Sequence, residues 1–219
     1  MVRPSFGSGF QSPRRGGNQL TLNIPSWADS GIGHTGSNKN AVDPNQQIKL
    51  YQGSTLIEDR KGQQIVVLAP QERTQYRLVN DVKRDAARWH TSVQTHTEWT
   101  FWSQYENKIE NLPLLSLNYK VDTDMNGNAR AGQKTELALS AFHVDNAKGV
   151  GNIEGASLQV SFDEGKTWES ATLTPKGEGW VANISHPKKA DSVSLKASAW
   201  DDAGNRIDQE IIKAYGLDN

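Results

Sequence analysis

The sequence predicts an all-β chain built as two consecutive β-sandwich domains of the immunoglobulin or fibronectin type. Short runs of alternating apolar and polar residues recur along the chain, which is the period of a strand with one buried face. Clusters of Gly, Asn and Asp separate these runs at the positions of turns. The 219 residues include 19 glycines and seven tryptophans, and this length suits two ordinary domains.

The first 18 residues are rich in Gly, Ser, Pro and Arg and show no periodicity. They predict a flexible linker or tail over residues 1–18. Alternation starts at Leu20, and we expect a β-sandwich domain over residues 19–112. Its strand runs lie at residues 20–24, 48–51, 53–57, 65–68, 76–79 and 91–102.

Three other segments of this half have different patterns. The Gly-rich stretch 27–36 predicts a long loop, and residues 81–89 are the one place where a short helical turn is expected. In the run 91–102, the alternation places Thr97, Trp99 and Phe101 on a buried face. The opposite face, which includes His96 and Glu98, is expected to be mostly solvated.

The second half, residues 113–219, predicts an immunoglobulin-like sandwich. Pro113 disfavours a continuous central strand and marks the passage from one domain to the next. Seven strands are expected, the number that this fold requires. They lie at residues 116–121, 135–143, 156–162, 168–173, 179–184, 192–200 and 206–215, with a turn at 201–205.

One turn of this sandwich has a distinctive spacing of Ser161, Asp163, Gly165 and Trp168. The Asp163 carboxylate can accept hydrogen bonds from the amides of the turn, and Gly165 can take a positive φ without a steric penalty. Trp168 is expected to lie back over the turn. The spacing resembles the Asp-box of sialidases and other β-proteins, which stabilises a hairpin, so we assign the four residues a structural role.

A second segment suggests a cation. The D-x-D-x-N-G opening of a calcium loop occurs once, with candidate ligands Asp122, Asp124, Asn126 and Asn128. Gln133 stands where an EF-hand loop has its closing Glu, and no helices are predicted beside it. We favour an ordinary hairpin turn at Asn126-Gly127 over a calcium site. Calcium is the one cofactor that the sequence suggests.

The sequence predicts no enzyme. It contains no cysteine, no G-x-S-x-G and no P-loop. None of the five histidines falls in a triad motif; they are His34, His90, His96, His143 and His186. His90 and His96 beside Glu98 suggest a metal pair, but we favour the alternative that they belong to a solvated polar face.

Charge and hydropathy exclude several classes of partner. The net charge of −1 gives no electrostatic argument for a nucleic-acid binder or a polybasic membrane anchor. No apolar run reaches the roughly 20 residues of a membrane span. The first residues lack the apolar region of a signal peptide. A small excess of basic residues in the first half and of acidic residues in the second is weak evidence for two units that attract each other.

Several segments together resemble the non-catalytic C-terminal region of bacterial secreted subtilisin-like serine peptidases, the peptidase S8 family. They are Pro25–His34, Tyr76–Leu78 with Arg84-Asp85, Thr95–Phe101, Leu114–Asp122, Val160–Trp168, Val193–Ala199, Asp202–Asn205 and Ile211–Tyr215. The family's His-Gly-Thr and Gly-Thr-Ser-Met-Ala triad motifs are absent, so no catalytic residue is carried over.

The resemblance implies that the parent is an exported, extracellular hydrolase whose peptidase domain lies upstream in the same polypeptide. This chain would then stabilise or space the peptidase, or help it engage polypeptide substrates or a cell-surface polymer. The alternative is a free-standing extracellular module that binds a carbohydrate or a protein. Sugar-binding sandwiches stack rings on exposed aromatic side chains, and the candidates are Trp27, Trp102 and Trp180. Burial of these side chains is the competing interpretation.

Overall fold

The computed structural model describes residues 1, 6, 12–28, 35–36 and 45–218. Within these residues the chain is all-β and contains no helix, which confirms the predicted fold class. Ten strands lie before residue 112: β1 (Arg14–Gly17), β2 (Gln19–Asn23), β3 (Trp27–Ala28), β4 (Thr35–Gly36), β5 (Gln46–Gln52), β6 (Thr55–Lys61), β7 (Gln64–Leu68), β8 (Thr74–Lys83), β9 (Gln94–Ser103) and β10 (Glu106–Asn111). Nine follow: β11 (Leu115–Val121), β12 (Asn128–Arg130), β13 (Lys134–His143), β14 (Ile153–Ser161), β15 (Glu169–Ala171), β16 (Thr174–Lys176), β17 (Gly179–Ser185), β18 (Ser192–Asp201) and β19 (Arg206–Asp218).

One long sheet runs through both halves of the chain. Its strand order is β15-β14-β18-β19-β9-β8-β5-β6, and β12 adds to β19 in parallel. A four-stranded sheet of order β10-β1-β2-β7 accompanies it in the first half, and another of order β11-β13-β17-β16 accompanies it in the second. β3 and β4 pair separately.

The halves are joined inside the long sheet by the antiparallel pairing of β9 with β19. Arg206 lies opposite Thr100 at one end of this pairing, and Ile212 lies opposite Gln94 at the other. The predicted division between residues 112 and 113 falls in the link between β10 and β11. The sheet therefore continues across the point where the sequence suggests a domain boundary.

The core lies between the long sheet and its two partner sheets. Trp99 of β9 is fully buried, and its indole nitrogen donates a hydrogen bond to the carbonyl oxygen of Leu115 at 2.7 Å. One continuous cluster of buried apolar side chains includes Leu20, Leu22, Ile65, Leu78, Trp99, Leu117, Leu137, Leu195, Ile207 and Ile211. Burying one such side chain contributes roughly 1.5–3 kcal/mol.

The strand β9 shows the expected alternation, since Thr95, Thr97 and Trp99 are buried and His96 is half-buried. The strand begins at Gln94 and not at residue 91, because Ser92 has a φ of 50°. A left-handed residue interrupts the regular pleat.

The structure differs from the sequence prediction in the first 18 residues. Arg14–Gly17 form β1 between β2 and β10, and Phe6 packs on Trp99 with 5.7 Å between ring centroids. Backbone pairing holds β1, and the buried side chain of Arg15 is bound to backbone carbonyls. Neither interaction produces apolar alternation, so the sequence pattern does not indicate this strand.

The expected helical turn is a single turn in which the amide of Trp89 donates to the carbonyl oxygen of Asp85 at 2.9 Å. Residues 81–83 belong to β8. In the predicted loop 27–36, the ends form β3 and β4, and residues 29–34, with His34, lie outside the described residues. No stretch of the described chain forms a helix long and apolar enough to span a bilayer.

Candidate functional site

The hairpin loop at residues 161–168 is closed by a network around one carboxylate. Oδ1 of Asp163 accepts from the hydroxyl of Ser161 at 2.7 Å and from the amide of Thr167 at 2.9 Å, and its Oδ2 accepts from the Thr167 hydroxyl at 2.7 Å. The amide and hydroxyl of Thr167, followed by the Ser161 hydroxyl, lower the pKa of Asp163 to about 2. Gly165 has a φ of 84°, and its α-carbon faces the half-buried ring of Trp168.

This loop also contacts the junction between the two halves. The carboxylate of Glu164 pairs with Lys213 of β19 at 2.9 Å. A β-carbon on Gly165 would lie 2.7 Å from Cδ1 of Ile212. The carbonyl of Lys213 in turn accepts from the amide of Ser92, at the entrance to β9, at 2.6 Å. The loop therefore packs on the residues that join β19 to β9.

A second polar network surrounds Asp201, whose side chain is fully buried. Its Oδ2 accepts from Nε2 of His143 at 2.9 Å, from the amide of Gly151 at 2.9 Å and from the carboxamide of Asn205 at 2.8 Å. Its Oδ1 accepts from the amides of Asn205 at 2.7 Å and Ala203 at 3.1 Å. Burial opposes ionisation, but these hydrogen bonds outweigh it and lower the pKa of Asp201.

Sequence reasoning identifies residues 201–205 only as a turn. The structure shows that the Asp201 carboxylate also fixes the end of β13 through His143 and the segment before β14 through Gly151. An Asp followed four residues later by Asn, with Gly between them, indicates the turn. The contact with His143 depends on the tertiary fold, and no local pattern indicates it.

The candidate calcium ligands lie between β11 and β12. Oδ1 of Asp124 accepts from the amides of Asn126 at 2.9 Å and Asn128 at 2.8 Å. The side chain of Asn128 donates to Asp218 at 3.0 Å, and Asp122 is exposed. Among the described residues, no group of three or more His, Cys, Asp or Glu side chains is arranged to hold a metal ion.

The turn at Asn126-Gly127 is not a hairpin, because β11 pairs with β13 while β12 pairs with β19. It carries the chain from one sheet to the other. Asp124 closes this turn in the way that a turn-initiating Asp ordinarily does.

The described histidines are held in separate places. His96 binds Asp81 at 2.6 Å, and this hydrogen bond raises its pKa in spite of burial. His90 lies in the turn before β9. The buried ring of His186 donates from Nδ1 to the carbonyl oxygen of Arg130 at 3.0 Å, so its Nε2 accepts from the hydroxyl of Tyr215 at 3.1 Å. Burial lowers the pKa of His186 and raises that of Tyr215.

An open groove of about 1110 Å³ lies on the outer face of the sheet β11-β13-β17-β16. Small, half-buried residues form its floor, namely Ala138, Ser140, Gly179 and Val181. A side chain at Gly179 is excluded, because a β-carbon there would lie 2.5 Å from the carbonyl oxygen of Leu139. Basic and acidic side chains share the rim, and Lys176 pairs with Glu136 at 2.9 Å.

The three tryptophans considered for sugar binding lie on different elements. Trp27 of β3 is 46% exposed. Trp180 of β17 is half-buried, packs against the core and lines the groove. Trp102 of β9 is half-buried, and the guanidinium of Arg73 lies 4.1 Å from its ring centroid. No two of them line the same described pocket.

No protein-family model and no curated protein matches the chain. Among solved structures, it is similar to the fibronectin(III)-like modules of Clostridium thermocellum CbhA, with 14% identity over 97% of this chain and 93% of that one and a TM-score of 0.29. It is also similar to a chimeric titin Z1Z2-Z1Z2 tandem carrying a GRGDS peptide from fibronectin, with 8% identity over 95% and 93% of the two chains and a TM-score of 0.33.

A third similarity is to the three N-terminal domains of the outer capsid protein Hoc of bacteriophage RB49. The identity is 11% over 97% of this chain and 59% of that one, and the TM-score is 0.26. With identities and TM-scores of this size, the functions of these proteins cannot be transferred to this chain.

Proposed function

We propose that this chain is a non-catalytic accessory region of a secreted subtilisin-like serine peptidase. In this role it stabilises or spaces an upstream peptidase domain, or helps that domain engage its substrate or a cell surface. The sequence resemblance supports the peptidase family, and the continuous long sheet supports the accessory role.

The continuous long sheet carries this proposal. Seven residue pairs join β9 to β19, from Arg206 opposite Thr100 to Ile212 opposite Gln94. Domains that move independently are connected by exposed linkers that few contacts cross. Here the backbone hydrogen bonds between β9 and β19 join the two halves directly. The halves therefore form a stiff unit that is suited to hold a neighbouring domain at a fixed distance.

The polar clusters of the described residues support a structural role. The carboxylates of Asp163 and Asp124 each accept hydrogen bonds from backbone amides of their own turns. Asp201 links three segments, and His186 is held between Arg130 and Tyr215. A general base needs a proton within hydrogen-bond reach in a substrate-accessible site, whereas these groups bind neighbouring parts of the fold.

The proposal is tested by comparing the parent protein with and without this region. We expect cleavage of a short chromogenic peptide to be unchanged by the deletion. Thermal half-life or cleavage of a folded protein substrate should fall, because those properties depend on the accessory unit. The assignment would be refuted if the coding sequence upstream of this chain encoded no peptidase domain. It would also be refuted if the isolated chain cleaved casein and a serine-directed inhibitor blocked that cleavage.

The groove on the sheet β11-β13-β17-β16 favours a second candidate function, the binding of an extended polypeptide. Sugar platforms need exposed aromatic rings, but the floor of this groove is made of small residues. Its rim carries both signs of charge, including Lys120, Lys134 and Glu178, which is complementary to a polypeptide with mixed charges.

Substitution of Ala138 with Arg fills the centre of the groove. We expect Ala138→Arg to abolish retention on an immobilised unfolded protein such as reduced casein. The matched control is Ser157→Arg, at an exposed position of β14 outside the groove. Equal retention of both variants, or no retention of the wild-type chain, would contradict polypeptide binding.

A further inference from the structure

We propose that a pocket at the junction of the two halves binds a carboxylate group. The pocket has a volume of about 240 Å³ and is lined by Arg15 of β1, Trp102 of β9, Glu106 of β10, and Arg73 and Lys148 from two connections. Leu112 and Pro113 add an apolar wall. Binding here does not depend on whether a peptidase lies upstream.

The first observation is a buried cation without a carboxylate partner. Arg15 is 1% exposed. Its Nε donates to the carbonyl oxygen of Gly17 at 2.6 Å, and its Nη2 donates to those of Pro70 at 2.6 Å and Ala69 at 3.4 Å. Its Nη1 meets no carboxylate of the described residues, and the charge of Arg15 acts on the buried hydroxyl of Tyr76, which is a neutral group. Burying an unpaired charge is costly, and buried guanidinium groups are ordinarily paired with an anion.

The second observation is the charge balance of the pocket. The exposed guanidinium of Arg73 stacks on Trp102, and within the described chain it has no ion pair with a carboxylate. Lys148 is neutralised by Glu106 at 2.6 Å. Two guanidinium groups, those of Arg15 and Arg73, therefore line one pocket without a compensating anion.

The walls of the pocket are held by hydrogen bonds that do not involve a ligand. The carboxamide of Asn205 donates to the carbonyl oxygen of Gly149 at 2.9 Å, and its oxygen accepts from the amide of Trp102 at 3.4 Å. Asn205 is itself fixed by Asp201. The pocket is thus preformed, which reduces the entropic cost of binding.

The chemistry favours a carboxylate. The planar fork of a guanidinium matches the two oxygens of a carboxylate. Glu106 and Lys148 neutralise each other, so an entering anion meets the two guanidinium groups. The volume is below the roughly 300–1,000 Å³ of ordinary small-molecule sites. Only the acidic end of a larger ligand can enter, so the source is an acidic side chain of a polypeptide or a uronic acid of a polysaccharide.

Titration calorimetry at constant ionic strength tests this proposal with two carboxylate probes and their neutral isosteres. N-acetyl-glutamate amide represents the acidic polypeptide, and methyl glucuronide represents the acidic sugar. The controls are N-acetyl-glutamine amide, methyl glucoside and inorganic phosphate. Saturable binding of either carboxylate, with no binding of its neutral isostere, supports the proposal and identifies the source. No binding of either carboxylate, equal binding of a neutral isostere, or stronger binding of phosphate overturns it.

Variants assign the binding to this pocket. Arg73→Gln should weaken carboxylate binding by about tenfold or more, since it removes a charge-assisted hydrogen bond. The matched control Arg60→Gln changes an exposed arginine of the edge strand β6 and should leave affinity unchanged. Arg15→Lys keeps the charge and removes the fork, and its melting curve shows whether it folds. Unchanged affinity in folded Arg73→Gln overturns the assignment.

Discussion

Replacing Asp201 with Asn is expected to destabilise the fold more than any conservative surface change. Oδ2 of Asp201 accepts from three donors, on His143, Gly151 and Asn205, and its Oδ1 accepts from two amides. An amide in this position turns its NH₂ group toward N–H donors in either orientation. At least two N–H donors, which are buried or partly buried, then lose their acceptor.

The expected loss follows from these contacts. A hydrogen bond to a charged group contributes about 1.5–3 kcal/mol, and a buried donor left unpaired costs about 1–3 kcal/mol. The contributions share one carboxylate and are not additive, so we expect the free energy of unfolding to fall by about 3 kcal/mol. The control is Asp59→Asn, which removes an exposed pair with Lys49 at 3.9 Å and should cost less than about 1 kcal/mol.

Urea unfolding followed by tryptophan fluorescence measures both variants. Asp201→Asn should also change how the free energy of unfolding depends on pH under acidic conditions. Because the pKa of Asp201 is lowered in the folded state, the carboxylate contributes stability above its unfolded pKa, and this contribution is lost as pH falls through the folded pKa. Asp201→Asn removes that contribution. A loss below about 1 kcal/mol, equal to that of the control, would refute the structural role assigned to this carboxylate.

Three further outcomes are expected. Gly165→Ala should cost about 2–3 kcal/mol in urea unfolding, since it combines a φ of 84° with a clash against Ile212, whereas Gly177→Ala, with a φ of 60° and open space, should cost about 1 kcal/mol. Burial lowers the pKa of His186, so the neutral ring stabilises the fold above its ordinary pKa of 6.5, and this stabilisation is lost as pH falls toward the folded value. In His186→Gln the urea midpoint should therefore depend less on pH between about pH 7 and pH 5 than it does in the wild-type chain. An unchanged pH dependence would refute this. A chelator should leave the Tm unchanged, because the Asp124 carboxylate already accepts hydrogen bonds from two backbone amides. A rise in Tm on adding calcium would instead establish the candidate calcium loop.

The sequence predicts the strands that bury one face, because alternation records burial directly. All seven strand positions expected after residue 113 correspond to strands of the structure, and the turn at 201–205 is also present. The loop at 161–168 has the hydrogen bonds that its spacing suggests, since each of them is made within a few residues.

Features held by backbone pairing or by distant contacts could not be predicted in this way. β1 contains Arg14-Arg15-Gly16-Gly17 and shows no apolar period, yet it pairs with two strands. The pairing of β9 with β19 joins residues far apart in the sequence, and no local pattern specifies which edges meet. The pocket around Arg15 arises for the same reason, because its lining residues come from five separate segments.

The pairing of β9 with β19 also means that each half covers an edge of the other. Gln209 of β19 donates to the buried hydroxyl of Thr97 on β9 at 3.1 Å, so side chains as well as backbone groups are matched along this seam. Expressing either half alone would expose an unpaired strand that is long, regular and partly apolar. Such an edge is a template for pairing with another copy. Either half expressed alone should therefore form swapped dimers or aggregates, in which a strand of a neighbouring molecule fills the vacant position beside β9 or β19.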